Sequence, residues 1–332
     1  MKGRMKNFIF RAVALFALLL PWLGGEIGQA AEQPKIGIAW RADTDSEFFT
    51  NVWCAIEQAG GTPVLLAQVK SADLAYEGAR LLSIQVDRND YLKAAGAELV
   101  KTNGYEGSNA AEAVAGVQAV IFTGGEDISP TLLAKVEPWH GIPAEKDYNA
   151  ERDVSDYILM RYCLDKNIPV LGLCRGMQMM SVVCGATVIQ DIPSFMALQG
   201  KDYAYLHRRQ KTTPDEYRDY MPHEVKLVSG SLVGNIFGTL YLEGAPSWHH
   251  QAVRSVEGTP LRVTAITMTN AVPMIEAVEL PTNTFALGLQ FHPEAAIVKM
   301  LEAKENRSSF MSFRDSIKVF RELIRAAERN AA

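Results

Sequence analysis

Gly172-Leu173-Cys174-Arg175-Gly176 places a thiol between two glycines. The apolar, β-leaning Ile168-Pro169-Val170-Leu171 precedes it, and Met177 to Val183 can continue as a helix. A cysteine at such a strand-to-helix switch has the form of a nucleophile elbow with sulfur in place of oxygen. In so tight a turn, side chains two residues before or after the nucleophile would strike neighbouring backbone, and glycine removes that obstacle. The helix N-terminus beneath the sulfur favours its thiolate. Cysteine is also among the most buried residue types, so the pentapeptide alone admits a structural thiol as well.

A thiol nucleophile needs a base, a group that orients the base, and donors for the oxyanion. Gly288-Leu289-Gln290-Phe291-His292-Pro293-Glu294 follows an apolar run read as a strand. His292 and Glu294 then fall at a strand terminus, where the side chains of an open α/β sheet gather at the active edge. Two apart in extended chain, they point to one side. Glu294 can accept a hydrogen bond from one ring nitrogen of His292 while the other faces Cys174. In Phe122-Thr123-Gly124-Gly125-Glu126-Asp127-Ile128-Ser129-Pro130, a glycine pair follows another strand and lets backbone N–H groups turn toward a ligand. The N–H groups of Gly125 and Arg175 are the candidate oxyanion hole.

The elements that must position these residues alternate in a βαβ rhythm, which points to a mostly parallel sheet with helices on both faces. Strands are predicted at 36–40, 63–66, 119–122 and 168–173, with helices at 46–59 and 153–165. The second helix reads as amphipathic, with Val154, Ile158, Leu159 and Tyr162 on one face. Residues 68–108 show helical periodicity over 81–93 and read as an elaboration of the core. Residues 192–221, rich in charge and aromatics, read as loops over the site. Strands dominate beyond them, at 225–228, 261–267, 274–279 and 285–290, before helices at 295–303 and 310–328.

The chain has 332 residues and a net charge of −5. Residues 1–30 combine a basic start (Lys2, Arg4, Lys6, Arg11), an apolar run from Ala12 to Leu20 and the small-x-small Gly28-Gln29-Ala30, the form of a secretory signal peptide. A membrane anchor is the competing reading, although the apolar run is short for a span. Removing this segment takes away four basic residues and Glu26, leaving −8 on a single domain, 31–332. With no basic stripe, a nucleic-acid partner is not expected. Export to the periplasm or the extracellular space makes disulfides available to Cys54, Cys163, Cys174 and Cys184. Cys174 must stay free to act, and the other three read as core residues. No histidine pair or cysteine spacing suggests a metal site.

Taken together, Thr123 to Pro130, Cys174-Arg175-Gly176-Met177-Gln178, His249-His250-Gln251-Ala252-Val253 and Phe291-His292-Pro293-Glu294 resemble the γ-glutamyl hydrolase branch of the class I glutamine amidotransferase-like superfamily. The likeness is greatest to γ-glutamyl-γ-aminobutyrate hydrolase-like proteins and covers about residues 34–325. It implies a flavodoxin-like three-layer α/β sandwich, with a mostly parallel central sheet and a smaller antiparallel C-terminal strand region. It also implies a Cys174–His292–Glu294 triad, with Gln178, His249, His250 and Gln251 lining a glutamyl pocket. His207 and His223 sit where family members often carry histidine, and each admits either a substrate contact or a solvated or capping role. Residues 68–108 look longer than the family's usual connection, and Pro246-Ser247-Trp248 replaces the more usual lead-in to His-His-Gln. The expected activity is cofactor-free hydrolysis of γ-glutamyl amides by an exported protein with no membrane association after signal cleavage. A homodimer is left open. The alternatives are a glutaminase-type amidotransferase subunit and an inactive exported binding protein.

Overall fold

The computed structural model describes residues 32–136, 145–210, 213, 219–302 and 309–331. The predicted signal segment, 1–30, lies outside the described residues. The chain separates into Met1–Glu32 and Gln33–Ala332, and every element described belongs to the second unit. Its first half holds β1 (Lys35–Ile38), α1 (Glu47–Ala59), β2 (Thr62–Leu65), β3 (Tyr76–Glu77), β4 (Arg80–Leu81), α2 (Ala94–Asn103), α3 (Ala110–Ala113), β5 (Ala119–Phe122) and α4 (Ala150–Asp165). Then come β6 (Val170–Leu173), α5 (Arg175–Val183), β7 (Thr187–Ile189) and α6 (Ile192–Leu198). The last third holds β8 (Met221–Leu227), α7 (Leu232–Phe237), β9 (Tyr241–Ser247), β10 (Ala252–Ser255), β11 (Arg262–Thr269), β12 (Val272–Glu279), β13 (Ala286–Leu289), α8 (Pro293–Glu302) and α9 (Phe313–Ala331).

Nine strands form one sheet in the order β2-β1-β5-β6-β13-β12-β11-β8-β9. The first five pair in parallel and the remaining four continue the sheet antiparallel. Ranked by chain position, the parallel strands run 2-1-3-4-5, the flavodoxin-like order. Strand alternation divides the apolar interior into two cores. Ala119, Ile121, Leu171, Leu173, Leu287 and Leu289 face the core shared with α1, α8 and α9. Val120, Phe122, Val170 and Ala286 face the core shared with α4 and α5. Helix, sheet and helix make the three expected layers.

Some local expectations need correction. Residues 81–93 form no helix. Asp87 accepts hydrogen bonds from the backbone and side-chain nitrogens of Asn89, Asp90 is left-handed at φ +62°, and the helix begins only at Ala94. Such local side-chain bonds compete with helical ones. Residues 192–221 are not all loop, because Asp191 caps the short α6 by accepting from Ser194 N at 3.0 Å. Strand β9 was not predicted; it carries Gly244 and Pro246, and at the edge of the sheet a proline costs no ladder bond. Helix α4 buries more than one face, including Arg152, Asp153 and Asp156. All four cysteines are free; Cys163 is buried as expected, but Cys54 and Cys184 are only half-buried. Among the described residues no helix is long and apolar enough to cross a membrane.

Candidate active site

Cys174 stands between β6 and α5 with φ +50°, a conformation that costs a non-glycine residue energy and is held by its surroundings. The glycines on either side show why the turn closes. A Cβ on Gly172 would lie 2.6 Å from the Gly176 carbonyl, and one on Gly176 would lie 2.3 Å from the Phe122 carbonyl oxygen on β5. The elbow is therefore pressed against the neighbouring strand as well as folded on itself. Gln290 Nε2, just beyond β13, donates to Cys174 Sγ at 3.4 Å, while Gln178 Nε2 donates to Gln290 Oε1 at 3.1 Å.

His292 follows β13, and its backbone N–H donates to Pro246 O at 2.8 Å. Glu294 is not in extended chain as expected; it is the second residue of α8. Even so, its Oε1 lies 2.7 Å from His292 Nδ1, with both side chains buried. Burial alone would lower the imidazole, but the Glu294 carboxylate and the Cys174 sulfur outweigh it and push His292 up to about 10. Phe48 and Tyr220 pack at 5.7 and 5.1 Å from its ring, and a Cβ on Gly124 would sit 2.9 Å from its Cε1. The glycine pair after β5 thus leaves room for the histidine.

Cys174 opens on a pocket of about 240 Å³, which Gly125, Arg175, Gln178, His249, His250 and Gln251 also line. Gly125 has φ +139°, and a Cβ there would fall 2.1 Å from Arg152 Nη1. Arg175 is the first residue of α5, a position whose N–H has no acceptor within the helix. Both predicted oxyanion donors therefore border the cavity that the thiol faces.

Residues 85–294 match the Peptidase C26 family, nearly two thirds of the chain. The chain belongs to the Peptidase C26 family. Protein NtpR of Enterococcus hirae is 31% identical over 178 residues, 54% of this chain and 67% of that one. The γ-glutamyl-γ-aminobutyrate hydrolase PuuD of Escherichia coli K12 is 28% identical over 150 residues, 45% of this chain and 55% of that one. The chain thus spans between about half and two thirds of the length of these curated relatives. A glutamine amidotransferase from Thermotoga maritima matches 91% of this chain and 99% of its own, at 16% identity and a TM-score of 0.43.

In this Peptidase C26 chain His249 and His250 lie in the bend between β9 and β10, not on a strand, and their rings diverge into opposite environments. Burial lowers His249 well below the ordinary imidazole range, and His207 nearby lowers it further. Burial works against the His250 cation too, but Asp127 at 2.9 Å and Asp191 at 3.2 Å raise it above its ordinary value. The pocket wall thus carries one neutral and one charge-stabilised imidazole. Gln178 Nε2 also donates to Gln251 O at 3.1 Å, joining the elbow helix to this wall.

His207 and His223 do not line the pocket that Cys174 faces. Both are buried beside Glu276, at 3.3 and 3.6 Å, and neither caps a helix nor meets solvent. Three further groups went unread in the sequence. Gln290 touches the sulfur, Trp248 and Arg208 line the pocket, and a buried ion network holds the loop and the elbow. Arg152 pairs with Glu126 and donates to Thr123 O at 3.0 Å and Gly124 O at 2.9 Å; Arg41 Nη1 reaches Thr123 Oγ1 at 2.9 Å. Arg175 binds Asp153 at 2.5 Å and Asp156. Burial would raise Glu126, but Arg152 and Arg175 hold it far below the usual carboxylate range. The charged positions of α4 in this network, four apart or fewer, were the available signal; apart from the Arg152–Asp156 contact at 3.5 Å, their partners come from other segments.

Proposed function

We propose that this chain is an exported cysteine hydrolase of γ-glutamyl amide bonds. What carries the reading is the convergence of Cys174, the 2.7 Å His292–Glu294 pair and a pocket lined by both signs of charge. Asp127, Glu145 and Asp147 supply the negative side, and Arg208 and His250 the positive side. A glutamyl head group, with one ammonium and one carboxylate, matches that lining. Family membership and the γ-glutamyl-γ-aminobutyrate hydrolase among the relatives support the same class.

In this reading the Cys174 thiol gives its proton to His292, and the thiolate attacks the side-chain carbonyl of the glutamyl amide. The N–H groups of Gly125 and Arg175 stabilise the oxyanion. As the C–N bond breaks, imidazolium His292 protonates the departing amine and leaves a γ-glutamyl thioester. Water, deprotonated by His292, hydrolyses the thioester and restores the thiol. Glu294 holds the ring in the productive tautomer throughout.

A panel of γ-glutamyl amides offered to the wild type and to Cys174→Ala tests this, with mass detection of an acyl-enzyme. Turnover and a trapped thioester are expected only for the wild type. Deamidation of free glutamine faster than every γ-glutamyl amide would move the assignment to a glutaminase. Labelling of Cys174 by a glutamine-like electrophile without any turnover would move it to a binding protein.

A further inference from the structure

On the antiparallel half of the sheet, His223 on β8 and Glu276 on β12 reach toward each other across β11, and His207 joins them from the connection before β8. One ligand-type atom from each of the three lies within 4.8 Å of the others, and all three side chains are at least nine-tenths buried. We propose that His207, His223 and Glu276 bind a divalent transition-metal ion, with Zn²⁺ the best match.

The distances carry the argument. His207 Nδ1 lies 3.3 Å from Glu276 Oε1, and His223 Nε2 lies 3.6 Å from Oε2. Both exceed the 2.7–3.2 Å of an N–H···O bond. Two donors each about 2.0 Å from a tetrahedral ion stand roughly 3.3 Å apart, so both spacings fall within a few tenths of an ångström of a coordination edge. Partner accounting agrees. Among the described residues neither Glu276 oxygen, neither His223 ring nitrogen, nor His207 Nδ1 has a hydrogen-bond partner. A buried carboxylate with no bond is costly, and a cation between it and two imidazole lone pairs gives a partner to Glu276, to His207 Nδ1 and to one of the two His223 nitrogens.

The groups around these three side chains support the same assignment. The outer nitrogen of His207, Nε2, lies 2.7 Å from Thr269 Oγ1, and in the tautomer that donates to this hydroxyl Nδ1 presents a lone pair inward. Two imidazoles and one carboxylate suit zinc and its first-row neighbours, whereas magnesium and calcium call for oxygen donors alone. His249 Nε2 stands 3.9 Å from Glu276 Oε1, also unpartnered, as a further nitrogen on the side of the pocket that His249 lines. The His207 carbonyl accepts from His249 N at 2.9 Å and from Ser247 Oγ at 2.9 Å. An ion here would fasten the connection that carries His207 to β8 and β12, and through that carbonyl would hold the pocket wall. This assignment does not depend on the hydrolase reading.

The test is zinc binding by the full chain, stripped by chelator and titrated calorimetrically with zinc sulfate. One equivalent is expected for the wild type and for Cys174→Ser, together with a rise in melting temperature. Glu276→Gln and His223→Asn should weaken that binding about a hundred-fold or more. Near-UV circular dichroism checks that these variants are folded. If they are not, the cobalt spectrum of the wild type decides, with d–d bands and no sulfur-to-cobalt charge transfer expected. Absence of binding, loss of the equivalent in Cys174→Ser alone, or a sulfur–cobalt band would each overturn the assignment.

Discussion

Glu294 Oε1 sits 2.7 Å from His292 Nδ1, so the carboxylate is spent on the base and not on the thiol. Glu294→Gln keeps the shape of the acid and removes its charge. We expect a loss in kcat of roughly a hundred- to ten-thousand-fold on a γ-glutamyl amide, with KM little changed. The alkaline limb of the wild-type rate profile should lie near the raised His292 value of about 10 and move to lower pH in the variant. Steady-state kinetics across pH checks both.

The same pair makes stability depend on pH. Because the folded value of about 10 exceeds the ordinary 6.5, the stabilisation is complete below about 6.5 and is lost as pH rises through about 10. Urea unfolding of the wild type and Glu294→Gln should therefore show their largest gap near pH 6.5, closing toward pH 10. A gap that widens with pH would contradict the raised value.

His250 is held between Asp127 and Asp191, and Asp191 also caps α6. Asparagine is itself a good helix cap, so Asp191→Asn separates the two roles. The variant should raise KM several-fold with a smaller effect on kcat. The deficit should grow as pH climbs above the ordinary imidazole range, about 6.5, where the wild type keeps more of the charge. Initial-rate measurements at pH 6 and pH 8 test the sign.

Gln290 donates to the Cys174 sulfur at 3.4 Å. An acceptor that loses a donor holds its negative charge less well. Gln290→Leu should slow iodoacetamide alkylation at Cys174 near neutrality. Mass spectrometry of the alkylated peptide over time follows it.

Gly176 faces the Phe122 carbonyl so closely that a Cβ would lie 2.3 Å away. That obstacle is strand backbone, which cannot swing aside. Gly176→Ala should cost roughly 3 kcal/mol of stability or prevent folding, whereas Gly60→Ala meets no atom within 4 Å and suffers only from its φ of +96°. Thermal melts of the two variants compare a packing clash with backbone strain alone.

Local order in the chain determined a good deal. Apolar four-residue runs between helical stretches specify the parallel half of the sheet, because a strand buried on both faces reads as a continuous apolar run. The glycines about Cys174 announced the elbow, since only a residue without a Cβ fits there. The short α6 and the edge strand β9 escaped, the one because seven residues carry too little periodicity and the other because Gly244 and Pro246 weaken a strand pattern. What only the tertiary structure decided concerns polar groups whose partners are remote in sequence. Arg175 meets Asp153 and Asp156 beneath the elbow, His250 meets Asp127 and Asp191 beside the pocket, and His207, His223 and Glu276 meet on the antiparallel strands. A charged side chain looks the same in sequence whether solvated or buried, and its state follows from which distant segment arrives to pair with it.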